Sequence, residues 1–227
     1  MAIAILNADE LDPTLVSEFH SYGYMFEQLF APLDIDCDVF DVRQGEYPID
    51  PEHYHSFLIT GSKSDAFGKE LWIQDLKSFT CSALNRGAKF VGICFGHQLL
   101  ALLLDGKVSR AEQGWGLGVM TYQCDSQYQG LPTHLSLIAS HQDQVIQLPE
   151  DAKRLYGSDF CPNASFLWRE QVLTFQGHPE FTPNYLMQLM GLRQGRIPHK
   201  RYQKAVSRLN QAHDGVLIGR LMAAFLK

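Results

Sequence analysis

The sequence has no apolar run long enough to cross a membrane, because a spanning helix needs roughly 20 consecutive apolar residues. Its first residues, "MAIAILNADELDP", also lack the basic stretch followed by a long apolar stretch that is typical of a secretion signal. We therefore expect a cytoplasmic protein that does not act at a membrane.

Paired cysteines and basic patches are scarce as well. The five cysteines are widely spaced and contain no C-x-x-C pair, so neither a zinc knuckle nor a disulfide framework is indicated. Lys and Arg number 19 against 25 Asp and Glu, and the net charge is −6. The basic residues are scattered apart from "HKRYQK" (199–204), so we do not expect nucleic acid as a partner.

Phosphate-binding glycine motifs are also missing. The run "GWGLG" (114–118) has neither the spacing of a P-loop nor that of a dinucleotide fingerprint. No metal-ligand set is recognisable, and we expect no cofactor.

In the N-terminal half, short apolar runs alternate with stretches whose apolar residues have helical spacing. This order of strand and helix predicts an α/β fold, in which an open, mostly parallel sheet has helices on both faces. The predicted strands are 2–6, 38–42, 56–60 and 89–93, and the predicted helices are 13–30, 69–85 and one that begins near Gly96.

The middle of the chain changes character. Between about Gly114 and Phe175, short alternating runs separated by turn residues indicate antiparallel strands added to the sheet. Two helical stretches follow, at about 183–194 and 198–226. Because no repeat, low-complexity tract or linker interrupts the pattern, we expect a single domain over 1–227, with C-terminal helices at about 183–227.

The stretch "FVGICFGHQLL" (90–100) places Cys94 between Gly92 and Gly96, where an apolar strand passes into a helix. This is the cysteine version of the G-x-S-x-G nucleophile elbow, in which small neighbours let strand and helix approach closely. A helix N-terminus favours the thiolate form of a cysteine. The pattern is short, however, and a buried structural cysteine is the competing interpretation.

A second segment, "LTFQGHPEF" (173–181), supplies the other groups of a covalent acyl-transfer site. His178 and Glu180 are two residues apart, so in extended backbone their side chains share a face and Glu180 can orient the imidazole. Cysteine, base and orienting carboxylate together predict nucleophilic catalysis.

At this point the sequence resembles a known family. "GICFGHQLLA" (92–101) and "QGHPEF" (176–181) resemble the motifs of the triad-type (class I) glutamine amidotransferases. "TGSKSDAFGKELWIQDL" (60–76) is similar to the stand-alone group that resembles the glutaminase domain of GMP synthase and the γ-glutamyl peptidases. The resemblance extends from about Ile3 to Phe181 and implies a flavodoxin-like sheet.

The resemblance also implies roles for individual residues. Cys94 would be the nucleophile, His178 the base and Glu180 its partner, while the backbone N–H groups of Gly61, Ser62 and Phe95 would form the oxyanion hole. Substrate contacts would come from Gln98 and from "SHQDQV" (140–145), which resembles the "S-H-G-D" segment of GMP synthase glutaminases. The implied substrate-binding residues are Gln98, His141, Gln142 and Asp143.

Two departures from the family pattern bear on the substrate. The loop after the third strand reads Gly61, Ser62, Lys63, Ser64 instead of a "GGP" or "GPG" sequence, and Gln142 replaces the glycine of "S-H-G-D". We expect hydrolysis of the glutamine side-chain amide, with ammonia passed to an acceptor on a separate synthetase. The alternatives are a γ-glutamyl peptidase acting on glutathione-like conjugates and a non-catalytic regulatory or scaffold protein.

Overall fold

The computed structural model describes residues 2–50, 53–125 and 131–227. The strands, in chain order, are β1 (Ile3–Asn7), β2 (Cys37–Asp41), β3 (Ser56–Ile59), β4 (Lys89–Ile93), β5 (Lys107–Arg110), β6 (Gly116–Cys124), β7 (His134–His141), β8 (Asp143–Gln147), β9 (Ala152–Gly157), β10 (Ser165–Trp168) and β11 (Val172–Phe175). The helices are α1 (Pro13–Phe19), α2 (Tyr22–Phe30), α3 (Leu71–Asn85), α4 (Phe95–Leu103), α5 (Pro183–Leu192), α6 (His199–Arg208) and α7 (Gly215–Leu226).

Within the described residues, the main sheet has nine strands in the order β2-β1-β3-β4-β11-β10-β9-β6-β7. The strands from β2 to β11 run parallel, and those from β10 to β7 are antiparallel to their neighbours. Strands β5 and β8 form a separate antiparallel pair. The predicted α/β class, a parallel sheet with an antiparallel extension, is confirmed.

Strand β11 corrects one detail of the prediction. We expected it among the antiparallel strands, and it does pair antiparallel with β10, but on its other side it runs parallel to β4, with Leu173 opposite Val91. All four of its residues are buried. The pattern of apolar and polar residues within a strand indicates which of its faces are buried. It does not indicate which strands lie beside it, because that depends on tertiary packing.

Helices cover both faces of the parallel half, as predicted. Alternate residues of β1 enter different clusters. Ile3 and Ile5 pack with residues of α2 and α7, whereas Ala4 and Leu6 pack with residues of α3 and α4. The period of two along a strand therefore divides the core into two layers. In the described part of the chain, no helix is long and apolar enough to cross a membrane.

Two predicted helical stretches are each broken into two helices. The first breaks at His20, which has a φ of 57°, and the Ser21 hydroxyl then accepts the Tyr24 N–H at 2.9 Å to start α2. The second breaks before Asp214, whose carboxylate accepts the Ser136 N–H and whose own N–H donates to the Ser136 carbonyl, both at 2.7 Å. The Ser21 bond is local and competes with helical hydrogen bonds, whereas the Asp214 bonds reach β7, 78 residues away in the sequence.

Candidate active site

The predicted nucleophile lies at the carboxyl end of β4, the edge where open α/β sheets bind ligands. Cys94 is the N-cap of α4 and has a φ of 51° and a ψ of −99°. Its N–H donates to the Phe175 carbonyl at 2.9 Å, which ties the turn to β11. A non-glycine residue with this backbone is strained, and such strain clusters at functional sites.

The two glycines beside Cys94 are required sterically. A Cβ at Gly92 would lie 2.6 Å from the Gly96 carbonyl carbon, and a Cβ at Gly96 would lie 2.4 Å from the Ile59 carbonyl oxygen. Both contacts are with backbone atoms, so neither could relax by a change of rotamer. The G-x-C-x-G spacing is therefore what allows α4 to pack closely on β3 and β4.

His178 is buried next to Cys94 and held on several sides. Its Nδ1 is 2.7 Å from Glu180 Oε1, and its ring stacks on Phe181 with centroids 3.8 Å apart and 9° between the planes. Its backbone N–H donates to the Ile138 carbonyl at 2.7 Å. The imidazole therefore has a fixed position, and the chain places the Glu180 carboxylate against the His178 ring two residues away.

The electrostatics of His178 favour its protonated form. Burial alone lowers the pKa of His178, but the charges of Glu180 and Cys94 and hydrogen bonds to both side chains outweigh burial and raise it to about 10. Glu180 Oε2 is buried without a hydrogen-bond partner among the described residues. The imidazolium is thus the principal compensation for a buried carboxylate.

The loop after β3 lies directly against these groups. A Cβ on Gly61 would lie 2.7 Å from His178 Cε1 and 3.6 Å from Cys94 Cβ. The Lys63 N–H donates to Asp9 Oδ2 at 2.7 Å, and the Ser64 N–H donates to Ser62 Oγ at 3.1 Å. The N–H groups of Gly61 and Ser62 have no acceptor within the described residues, so they are free to bind a ligand atom.

Asp9, which the sequence did not single out, anchors this loop from the end of β1. Besides the Lys63 N–H, it accepts the Glu10 N–H at 2.9 Å and pairs with Lys63 Nζ at 3.2 Å. Burial raises the pKa of Asp9, although the contacts with Lys63 oppose the shift. An isolated Asp two residues after a strand gives no signal in the sequence that it will contact a loop more than 50 residues away.

Gln98 and His141 both contact the backbone carbonyl of Asp143. The Gln98 amide nitrogen donates to the Asp143 carbonyl at 2.9 Å and to Gln176 Oε1 at 3.1 Å. His141 Nδ1 is 3.1 Å from the same Asp143 carbonyl, and burial lowers the pKa of His141 to about 4. Gln98 therefore holds the backbone of the predicted binding segment through its amide nitrogen.

A cavity of about 220 Å³ opens beside Cys94. The predicted residues Ser62, Gln98, His141, Gln142 and Asp143 line it. Four basic side chains that the sequence did not single out as site residues also line it, namely Lys63, Arg110, Arg193 and Arg196. Lys63 follows β3, Arg110 ends β5, and the other two arginines follow α5. These segments converge only in the folded chain, so no local pattern could have found the cluster.

The Arg110 guanidinium bridges two acidic residues at this cavity. Its Nε is 2.9 Å from Asp143 Oδ1 and an Nη is 3.1 Å from Asp65 Oδ1. Burial and the neighbouring Asp65 raise the pKa of Asp143, and Arg110 opposes that shift. The pair offers a cation and an anion together, a combination suited to the two charged ends of an α-amino acid.

Comparison with known proteins identifies the family of the chain. The sequence model described as glutamine amidotransferase class-I matches residues 15–191. Gamma-glutamyl peptidase 2 of Arabidopsis thaliana is 37% identical over 189 residues, which are 79% of this chain and 76% of that protein. The glutamine-hydrolyzing GMP synthase of Staphylococcus carnosus is 27% identical over 76% of this chain, which spans 33% of that protein.

The fold has solved counterparts as well. A glutamine amidotransferase from Thermotoga maritima superposes with a TM-score of 0.77 at 21% identity, over 99% of this chain and 96% of that one. The chain therefore belongs to the class I glutamine amidotransferase family, and the resemblance identified from its motifs is confirmed.

Proposed function

We propose that the protein hydrolyses γ-glutamyl amide bonds with Cys94 as nucleophile. The observation that carries this proposal is the arrangement of three groups. Cys94 on a strained elbow and His178 both lie against Gly61 and line the same recess, and Glu180 holds the imidazole through Nδ1. Each of the three is less than 9% exposed, which strengthens their electrostatic interactions.

In the first step, the Cys94 thiolate attacks the γ-carbonyl carbon, forming a C–S bond and a tetrahedral oxyanion. The C–N bond then breaks, and the imidazolium of His178 gives its proton to the leaving nitrogen. This yields a γ-glutamyl thioester and ammonia or a free amine. The raised pKa of His178 supports its presence as the imidazolium at neutral pH.

In the second step, water attacks the thioester carbonyl while His178 accepts a proton from it. The C–S bond breaks, glutamate leaves and the thiolate returns. The N–H groups of Gly61, Ser62 and Phe95 are the proposed donors to the oxyanion in both steps. Removal of one such donor from other enzymes costs about 10²–10³ in kcat.

The α-amino and α-carboxylate end of the substrate would lie toward Asp143 and Arg110, in the larger cavity. We propose that backbone and side-chain groups of His141, Gln142 and Asp143 hold it. Gln98 would keep that segment in place and, with its amide oxygen, offer one further acceptor. The departure at Gln142 would then narrow this end of the cavity relative to a glycine.

Two substrates fit this chemistry. Glutamine would release ammonia. The similarity of this chain to GMP synthase supports a glutaminase that passes the ammonia to an acceptor on a separate synthetase. A γ-glutamyl peptide would release an amino acid or peptide, and the similarity to gamma-glutamyl peptidase 2 favours this second candidate. For both candidate functions, the single-domain organisation and the cytoplasmic location stay predictions.

The test is to incubate the purified protein with glutamine and with γ-glutamyl dipeptides and to measure ammonia and free amine. We expect release from at least one substrate, and its loss in Cys94→Ala and Cys94→Ser with unchanged melting temperature. Undiminished turnover by Cys94→Ala would refute the mechanism. No turnover and no labelling of Cys94 by a glutamine-analogue electrophile would favour the non-catalytic alternative.

A further inference from the structure

Two spaces meet at Cys94, and they differ greatly in size. The larger is the cavity of about 220 Å³, which Asp143 and Arg110 line. The smaller is a recess of about 20 Å³ lined by Gly61, His178, Phe181 and residues behind them. A volume of that size has room for about one water molecule.

The recess is where a leaving nitrogen would lie, because His178 gives that nitrogen its proton. It could hold an ammonia molecule but nothing much larger. A substituent on the nitrogen, such as the rest of an amino acid, would have to extend back into the larger cavity. Four residues line both spaces, and Arg193 is the only basic one among them; the others are Ser62, Cys94 and Ser140.

Arg193 is fixed in place but its charge is not neutralised. It caps the C-terminal end of α5, and its Nη1 donates to Ser140 Oγ at 3.0 Å. Among the basic side chains on the cavity, Arg110 and Lys63 pair with carboxylates, whereas the described residues contain no acidic partner for Arg193 or Arg196. Of these two, Arg193 alone also lines the recess. The remaining guanidinium N–H groups can therefore donate to an anion.

We propose that Arg193 binds a carboxylate on the leaving group and so selects γ-glutamyl peptides over glutamine and over uncharged γ-glutamyl amides. The inference rests on the proposed function, since it takes its direction from His178 as proton donor to the leaving nitrogen. A guanidinium suits this task because its planar donors match a carboxylate in two parallel hydrogen bonds. Ammonia, the leaving group of glutamine, has no carboxylate for Arg193 to bind.

The experiment compares γ-glutamylglycine with γ-glutamylglycinamide, which differ only in whether the leaving group bears a carboxylate. We expect kcat/KM of the wild type to favour the carboxylate by about 10-fold to 100-fold, the range of a hydrogen bond to a charged group. Arg193→Gln should reduce that ratio to near one and should lower kcat/KM for γ-glutamylglycine by a larger factor than kcat/KM for glutamine. Arg208→Gln, an exposed arginine of α6 that does not line either space, is the matched control and should keep the ratio.

Three results would overturn the inference. The wild type could show equal kcat/KM for the two compounds, or Arg193→Gln could leave their ratio unchanged. Alternatively, Arg193→Gln could weaken glutamine, peptide and amide equally, which would place the α-carboxylate of the glutamyl group on Arg193 instead.

A binding measurement separates this inference from the proposed function. Cys94→Ala is titrated calorimetrically with the same two compounds, with and without Arg193→Gln. Carboxylate-dependent binding that requires Arg193 would support the inference even if the wild type hydrolysed nothing. Equal binding of both compounds, with hydrolysis intact, would refute the inference and leave the proposed function standing.

Discussion

Gly61→Ala tests the most crowded contact in the site. The added Cβ would lie 2.7 Å from His178 Cε1, so one of them must retreat by about 0.7 Å to reach the 3.4 Å of ordinary van der Waals contact. Phe181 stacks on the ring and Glu180 holds its Nδ1, so the imidazole has little room to yield. Either His178 or the proposed oxyanion donors will be displaced.

A displacement of about 1 Å at reacting groups costs roughly 10²-fold in rate, which is about 2.7 kcal/mol of barrier. We expect Gly61→Ala to lower kcat by about that factor, measured by amine release from a γ-glutamyl dipeptide, with the melting temperature little changed. Gly191→Ala is the matched control, because a Cβ there meets nothing within 4 Å. Wild-type kcat in Gly61→Ala would refute the placement of this loop beside the reacting groups.

Two further substitutions test the groups that orient the site. Glu180→Gln removes a charge that raises the pKa of His178 to about 10, so the imidazolium should be lost at lower pH. The alkaline limb of the pH profile of kcat/KM should then move toward neutral pH, and kcat should fall about 10²-fold or more. An unmoved alkaline limb would contradict the role of Glu180 as the partner of His178. Asp9→Asn leaves one carbonyl oxygen for the Lys63 and Glu10 N–H groups, so we expect kcat to fall about tenfold and stability to fall by about 1–3 kcal/mol. Thermal unfolding and steady-state kinetics measure both, and wild-type values would show that Asp9 does not hold the loop.

The sequence predicts well those parts of the fold whose structure depends on a few neighbouring residues. The strand that ends at Ile93 is apolar after Lys89. The glycines on either side of Cys94 are needed wherever a strand turns sharply into a helix. The His178 and Glu180 spacing is equally local. Each of these features can be predicted because it depends on a few neighbouring residues.

Other features depend on contacts that no local pattern contains. The helix break before Asp214 is accompanied by hydrogen bonds to Ser136 on β7. Strand β5 carries few apolar residues and gave no strand signal. Arg193 lies at the site because α5 ends beside Ser140. The sequence "GLRQGR" does not show that the chain after α5 lies against this strand.

The central claim is that Cys94 carries the γ-glutamyl group during turnover. The most direct measurement is mass spectrometry of the protein after rapid acid quenching of a reaction with a γ-glutamyl substrate. The account predicts a glutamyl adduct on the peptide that contains Cys94, which hydroxylamine removes and which is absent from Cys94→Ala. Continued hydrolysis without any adduct on Cys94, or with the adduct on another residue, would contradict it.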